Sequence, residues 1–174
     1  VIEAIRLFPF RSDKYEIIIH PQSLVHAIVS FKNGQTKFLY HETDMSIPIS
    51  NAIYENKVDI ETLSKFKNNF TNGFDALRFE KVDKKRFPIV TFLTKNIHMN
   101  SGPIILNASN EVLVDSFIKN KIGFNDIYSY LRRVFRDRDF KKYAVKKNPD
   151  IKEIYKIDNW ARKKTFEIIE GKND

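Results

Sequence analysis

The sequence predicts an α+β fold in which a small mixed or antiparallel β unit precedes a C-terminal bundle of α-helices. Two observations lead to this prediction. Residues 15–40 contain runs of β-branched and aromatic residues, and Asn33-Gly34 separates two of these runs as in a tight hairpin turn. From Phe87 onward, apolar residues recur three and four positions apart, which is typical of helices packed on one face.

The β unit is predicted element by element. Residues 1–10 have the spacing of the last turns of a helix that Pro9 stops. Residues 15–19 are apolar and β-branched, so we expect a buried strand. A two-residue type I′ turn at Asn33-Gly34 would pair Val29 with Phe38 and bring His26 next to His41. The core face of this predicted hairpin carries Ala27, Val29, Phe31, Phe38 and Tyr40.

The helices are predicted from proline, glycine and capping residues. Residues 56–75 are polar and irregular, and residues 76–79 form a short extended piece. We therefore divide the chain into a β unit of residues 1–75 and a helical domain of residues 76–174. The predicted helix starts are Ile47, Pro88, Asn107, Asn125 and Pro149-Asp150; Gly123 ends the helix begun at Asn107, and Ile127, Leu131, Val134 and Phe135 face inward.

Composition excludes several functional classes. The 174 residues include no cysteine, which excludes disulfides, thiolate zinc sites and cysteine nucleophiles. The net charge is +8, but acidic residues are interspersed among the basic ones, so we expect a solvated surface, without nucleic acid or membrane as a partner. The chain starts with Val1 and has no signal-peptide pattern, which agrees with a segment of a longer protein.

Known site motifs are sparse. The sequence contains neither a Gly-x-Gly-x-x-Gly nor a Walker loop for nucleotide phosphates. Its four histidines form no helical metal-binding pair, and no tight cluster of carboxylates lies beside them. Judged from these patterns alone, the function would not be apparent.

Four short motifs in a fixed order change this interpretation. A β-rich run leads into His-Pro-Gln-Ser at residues 20–23 and then His26; Asp44-Met45 follows, with Pro48-Ile49 shortly after. Residues 2–8 and the Leu-Asn-Ala-Ser-Asn-Glu run at residues 106–111 complete the set. Together they resemble the 1-deoxy-D-xylulose 5-phosphate reductoisomerase family over nearly the whole chain. The family usually has Leu-Asn-Ala-Ala-Asn-Glu in the last motif, and Gly-x-Pro where this chain has residues 41–43.

The resemblance implies an NADPH-dependent and divalent-metal-dependent enzyme, with Mg²⁺ or Mn²⁺. Such an enzyme isomerises and reduces 1-deoxy-D-xylulose 5-phosphate, a sugar phosphate, to 2-C-methyl-D-erythritol 4-phosphate in non-mevalonate isoprenoid biosynthesis. This chain would be the C-terminal part of a homodimeric protein, in the bacterial cytoplasm or alternatively in a plastid-type organelle. The resemblance implies that residues 1–75 are the C-terminal part of its catalytic and dimerisation domain and residues 76–174 its C-terminal helical domain. The NADPH-binding domain, the metal ligands and most of the phosphate pocket would precede Val1, so the isolated chain is expected to be inactive.

Three residues receive roles from the resemblance, each beside an alternative. Met45 would pack against the nicotinamide ring, or it is an ordinary core or loop methionine. His26 would line the substrate and cofactor pocket and help proton transfer, or it bonds to backbone at a strand end. Ser23 would bind substrate, or its hydroxyl satisfies backbone after Pro21. His20 is expected to support the turn at Pro21.

Two other functions fit the size and charge of the chain. The last 44 residues carry 14 Lys and Arg against 8 Asp and Glu, so one alternative is a basic nucleic-acid-binding module. The second alternative is a purely structural dimerisation module. Neither explains the ordered motifs.

Overall fold

A computed structural model describes residues 2–8, 10–55, 57–58 and 77–171 of the chain. The described residues separate into two compact units, one of residues 17–82 and the other of residues 1–16 together with 83–174. Pro9, residues 59–76 and the predicted domain boundary at residues 75 and 76 lie outside the described residues.

The described part is mainly helical with short antiparallel strands, so the predicted α+β fold is confirmed. The strands are β1 (Ile18–Ile19), β2 (Val25–Ser30), β3 (Thr36–Tyr40) and β4 (Glu80–Lys81). Strands β1 and β4 pair with each other, as do β2 and β3. The α-helices are α1 (Ile2–Leu7), α2 (Ser46–Ile53), α3 (Pro88–Asn96), α4 (Gly102–Ile118), α5 (Phe124–Val134), α6 (Phe140–Ala144) and α7 (Ile151–Ile169).

The hairpin of β2 and β3 has a different register from the predicted one. Val29 pairs with Lys37 and not with Phe38, one residue away from the expected partner. The Phe31 N–H donates to the Gln35 carbonyl, so the loop has three residues, and Gly34 ends it with φ of +87°. This is a three-residue loop closed by a left-handed glycine, in place of the type I′ turn.

The predicted burial of the β unit is also wrong. Phe38 and Leu39 face opposite sides of the hairpin, yet both are about half exposed. Ile18 and Ile19, expected in a buried strand, are each more than a third exposed. Ile47 is the one buried apolar side chain of the 17–82 unit among its described residues.

The core of the described chain lies in the helical unit, where α4 packs against α5 and α7. Leu131 and Val134 are buried and Ile127 and Phe135 are partly buried, as the helical spacing predicted. Two clusters form this core: Ile105, Ala108, Val134, Phe140, Ala144, Ile157, Ala161 and Ile168 in one, and Leu106, Leu113 and Leu131 in the other. Ile2 of α1 packs against the second cluster.

Several helix boundaries differ from prediction. Asn107 does not cap a helix; it lies inside α4, which starts at Gly102. Gly123 does not end α4, because α4 stops at Ile118. Gly123 instead precedes α5 and donates its N–H to Asp126 Oδ2 at 2.8 Å, so the cap predicted at Asn125 is wrong.

Other boundaries agree with prediction. Pro88 opens α3, and Pro48 lies in the first turn of α2. Asp150 caps α7 by accepting the Glu153 N–H at 2.8 Å. By contrast, the extended piece expected at residues 76–79 differs from prediction, because residues 77–79 belong to no strand and β4 begins at Glu80.

Candidate functional site

The His-Pro-Gln-Ser segment forms a tight turn between β1 and β2. The Ser23 N–H donates to the His20 carbonyl at 3.0 Å, which closes the turn around Pro21. Ser23 has φ of +54°, in the left-handed region that serine rarely occupies. The turn therefore holds its last residue in an unfavourable backbone conformation.

Ser23 presents an exposed side chain on this turn. Its Oγ lies 3.5 Å from the His20 carbonyl, longer than a normal hydroxyl hydrogen bond. The backbone contact expected by the alternative interpretation is thus present but weak. The hydroxyl retains capacity to donate to or accept from another molecule.

His26 lies at a β-bulge at the end of the hairpin. Val25 pairs with Tyr40 and Ala27 with Leu39, which leaves His26 without an opposing residue. The predicted contact with His41 is confirmed, because the two imidazoles stack with centroids 3.7 Å apart and an interplanar angle of 8°.

One ring nitrogen of His26 is used by backbone. Nε2 lies 3.1 Å from the His41 carbonyl oxygen. Because a carbonyl can only accept, Nε2 carries the hydrogen and Nδ1 is the free acceptor in the neutral ring. This contact is the one that the alternative interpretation of His26 expects, and it leaves Nδ1 for any interaction with a ligand.

Met45 stands directly before α2, at the end of the loop that follows β3. The Asp44 carboxylate accepts the Ser46 N–H at 2.7 Å and so stabilises the start of the helix. The Met45 side chain is 68% exposed, which excludes a core methionine among the described residues. An exposed thioether at a fixed helix start is suited to packing against a planar ring.

Hydrogen bonds join the two segments that carry these residues. The His41 N–H donates to the Leu24 carbonyl at 3.1 Å, next to the bond between His26 and the His41 carbonyl. Ser23 and His26 therefore lie at the start of β2, and the loop that leads to Met45 begins beside them. No hydrogen bond or ring contact joins Met45 itself to Ser23 or His26 in the described residues.

Sequence reasoning missed three contacts at this site. His20 Nδ1 lies 2.8 Å from the carbonyl of Arg78, and the His20 ring stacks on Phe79. Gln22 Oε1 accepts the Arg78 N–H at 3.3 Å. The sequence does show an extended run near residues 76–81. No local pattern indicates that this run pairs with β1, so these contacts could not be predicted.

The remaining feature of the site is the position of the side chains that could bind a metal ion. Across residues 2–8, 10–55, 57–58 and 77–171, no three His, Cys, Asp or Glu side chains come together in a group able to hold an ion. The described residues therefore do not fit a metal centre of their own. In the same part of the chain, no helix is both long and apolar enough to cross a membrane.

Comparisons with known proteins agree on one family. The model of the DXP reductoisomerase C-terminal domain matches residues 41–164. The 1-deoxy-D-xylulose 5-phosphate reductoisomerase of Pelagibacter ubique is 36% identical over 162 residues, covering 92% of this chain and 41% of that protein. The Campylobacter jejuni enzyme is 37% identical over 161 residues, with 91% and 41% covered.

Solved structures of the same name share the fold. The Zymomonas mobilis enzyme in complex with NADPH has 28% identity and a TM-score of 0.74, over 97% of this chain and 43% of that one. A DOX-P reductoisomerase in complex with NADPH, fosmidomycin and magnesium has 24% identity and a TM-score of 0.84, over 97% and 42%. The chain thus spans about two fifths of the length of the relatives it matches.

Proposed function

Because the chain belongs to the 1-deoxy-D-xylulose 5-phosphate reductoisomerase family, we propose that the complete protein converts this sugar phosphate into 2-C-methyl-D-erythritol 4-phosphate with NADPH. The observation that carries the proposal is the family match over residues 41–164. The names of the relatives support it, since the Pelagibacter ubique and Campylobacter jejuni proteins bear that activity in their names.

NADPH is the proposed hydride donor, and Met45 is its contact in this chain. A structural relative is named as an NADPH complex, which supports this choice of cofactor. The exposed Met45 side chain would pack against the nicotinamide ring, where a polarizable thioether adds dispersion contacts. The nicotinamide supplies the hydride, while the protein orients it.

Ser23 and His26 are proposed to contact the substrate. The exposed Ser23 hydroxyl would hydrogen-bond an oxygen of the sugar phosphate. The His26 Nδ1 would accept a hydrogen bond or a proton, because Nε2 is already bound to the His41 carbonyl. Stacking on His41 would keep the ring in one orientation.

Magnesium or manganese is proposed for the complete protein, with ligands outside this chain. One structural relative is named with magnesium and fosmidomycin, whereas the described residues offer no cluster that could hold the ion. Homodimer formation through the β unit and a cytoplasmic location stay predictions of the same proposal.

The experiment is an activity comparison of the complete protein and the isolated 174-residue chain. Both are incubated with 1-deoxy-D-xylulose 5-phosphate, NADPH and Mg²⁺ while NADPH oxidation is followed. We expect turnover by the complete protein and none by the isolated chain. An inactive complete protein would contradict the proposed reaction, whereas turnover by the isolated chain would contradict only the proposed division of the site.

A further inference from the structure

The ladder between β1 and β4 stops at the His-Pro-Gln-Ser turn for a chemical reason. Ile18 pairs with Lys81 and Ile19 with Glu80, so the next rungs would bring His20 to Phe79 and Pro21 to Arg78. Proline has no N–H to donate, and therefore the ladder cannot continue through Pro21.

Two side chains of the turn take over where the ladder stops. His20 Nδ1 lies 2.8 Å from the Arg78 carbonyl, which can only accept, so Nδ1 carries the hydrogen and donates it. Gln22 Oε1 accepts the Arg78 N–H at 3.3 Å. Both backbone groups of Arg78 are thus bound by side chains of the turn.

The His20 ring is also fixed by packing. It stacks on Phe79 with centroids 4.8 Å apart and an interplanar angle of 20°, and its Nε2 is inaccessible to solvent. Phe79 in turn contacts Phe38 of β3, with centroids 6.2 Å apart. His20 therefore connects the turn to the residues directly before β4 and, through Phe79, to the hairpin.

We propose that His20 is a positioning residue for the reaction, acting through Ser23. This inference rests on the proposed function. Ser23 occupies a left-handed conformation, and such a residue persists only where its surroundings hold it. The surroundings here are the bond from the Ser23 N–H to the His20 carbonyl and the fixing of His20 to Arg78. Without the His20 donor, the turn relaxes and Ser23 Oγ moves away from the substrate.

Two variants of the complete enzyme separate the donor from the ring. His20→Phe keeps a flat ring to stack on Phe79 but removes the hydrogen on Nδ1. His20→Asn removes the ring but places an amide N–H close to the position of Nδ1, so it serves as the conservative rescue.

The kinetic expectation follows from geometry. A misplacement of about 1 Å can lower a rate about a hundredfold, so His20→Phe should lower kcat/KM for the sugar phosphate roughly ten- to hundredfold. The KM for NADPH should stay within about twofold, because Met45 lies on a different loop. His20→Asn should recover most of the lost kcat/KM. Thermal unfolding of each variant shows whether it is folded.

Each other outcome is decisive. A folded His20→Phe with parental kcat/KM would overturn the positioning role, as would an equal rise in KM for both substrates or no rescue by His20→Asn. Failure of both variants to fold would also overturn it, because His20 would then serve stability alone. An inactive unsubstituted enzyme would contradict the proposed function itself and remove the positioning role with it.

Discussion

At the residue scale, two serines with fully buried side chains differ in the hydrogen bonding of their hydroxyl groups. Ser101 Oγ donates to the Tyr143 carbonyl and accepts the Lys146 N–H at 3.2 Å. Ser109 Oγ is equally buried and has no hydrogen-bond partner in the described chain. Ser109 also occupies the position where the resembled motif has its second alanine. A buried hydroxyl without a partner has lost its hydration and gained nothing in return.

The first prediction is that Ser109→Ala stabilises the protein. Removing the unpaired hydroxyl should raise the free energy of unfolding by about 1 kcal/mol. Ser101→Ala is the matched control and should lower it by about 1–3 kcal/mol, since two backbone groups lose their partner. Urea unfolding of both variants measures the difference. A loss of stability in Ser109→Ala would show that its hydroxyl is satisfied.

The second prediction concerns Met45, whose side chain is mostly exposed. Contacts between a thioether and an aromatic ring contribute roughly 0.3–1.5 kcal/mol, so Met45→Ala should raise the KM for NADPH about two- to tenfold. Stability should change little because the side chain is outside any core. Steady-state kinetics of the complete enzyme at saturating sugar phosphate provides the measurement.

The control for Met45 is Ile53→Ala, at the end of the same helix. Ile53 is about as exposed as Met45 but lies beyond the start of α2. An identical rise in KM in both variants would indicate a general effect on α2 rather than a contact with nicotinamide.

At the scale of elements, local chemistry made some boundaries predictable. Pro88 opens α3 and Asp150 caps α7, because each acts through its own ring or carboxylate on the next residues. The helix start predicted at Asn107 is wrong because Pro103, in the first turn, allows α4 to begin earlier. The Asn107 amide instead donates to the Glu111 carboxylate at 2.9 Å. A capping residue type alone does not say which turn of the helix it occupies.

The hairpin shows why register is harder to predict than the presence of strands. The Asn33 side chain accepts the Gln35 N–H at 3.1 Å, which favours the three-residue loop over the type I′ turn. The bulge at His26 shifts the register once more, so that Val25 pairs with Tyr40, and His26 stacks on His41 although the two residues are not partners in the ladder. The site contact was predictable from the sequence, while the faces of the hairpin were not. The pairing of β1 with β4 joins distant residues that no local pattern connects.

Many charges on the helical unit are paired, as the interspersed acidic residues suggested. Arg162 of α7 binds Glu111 of α4 at 2.5 Å and Asp158 of its own helix at 2.7 Å. Lys164 contacts Asp137 and Glu167. The hydrogen bond from Arg162 lowers the pKa of Glu111, and its positive charge adds to the effect.

The third prediction is a pH-dependent contribution from Glu111. Its pKa is lower in the folded state than the ordinary value of about 4.3, so the stabilisation is present above that pH and is lost as pH falls through the folded pKa. The carboxylate is half exposed, and screening limits the effect of Glu111→Gln to less than about 1 kcal/mol at neutral pH. Urea unfolding at a series of pH values should show the variant and parent converging as the pH falls below the ordinary range of a glutamate carboxyl.

Asp115→Asn is the control for Glu111. Asp115 pairs with Lys119 within α4, and both side chains are exposed. Its removal should have a smaller effect than that of Glu111, which connects two helices. A difference between parent and Glu111→Gln that persists at low pH would show that the ion pair is not its source.

For the whole molecule, buried apolar side chains are distributed unevenly. Among the described residues, the two hydrophobic clusters belong to the helical unit, whereas the 17–82 unit buries Ile47. The hairpin leaves apolar side chains exposed on both of its faces, Val29 and Leu39 on one and Phe38 on the other. A cluster of exposed apolar side chains of this kind marks an interaction surface. The proposed homodimer would cover it.

The last prediction tests the proposed dimer contact by placing a charge on the hairpin. Leu39 is 57% exposed, so Leu39→Lys should leave the isolated subunit folded. Burying an unpaired ammonium at an interface costs several kcal/mol, so the dimer dissociation constant should rise at least about a hundredfold. Light scattering after size exclusion at micromolar concentration should show a dimer for the parent and a monomer for the variant.

Ile118→Lys provides the matched control, because Ile118 is 70% exposed at the end of α4 in the helical unit. The same charge there should leave the mass unchanged, since the proposed contact lies on the hairpin. If the parent is a monomer under these conditions, the dimer proposal fails. If Ile118→Lys dissociates the dimer and Leu39→Lys does not, the contact belongs to the helical unit, and the exposed hairpin faces require a different partner.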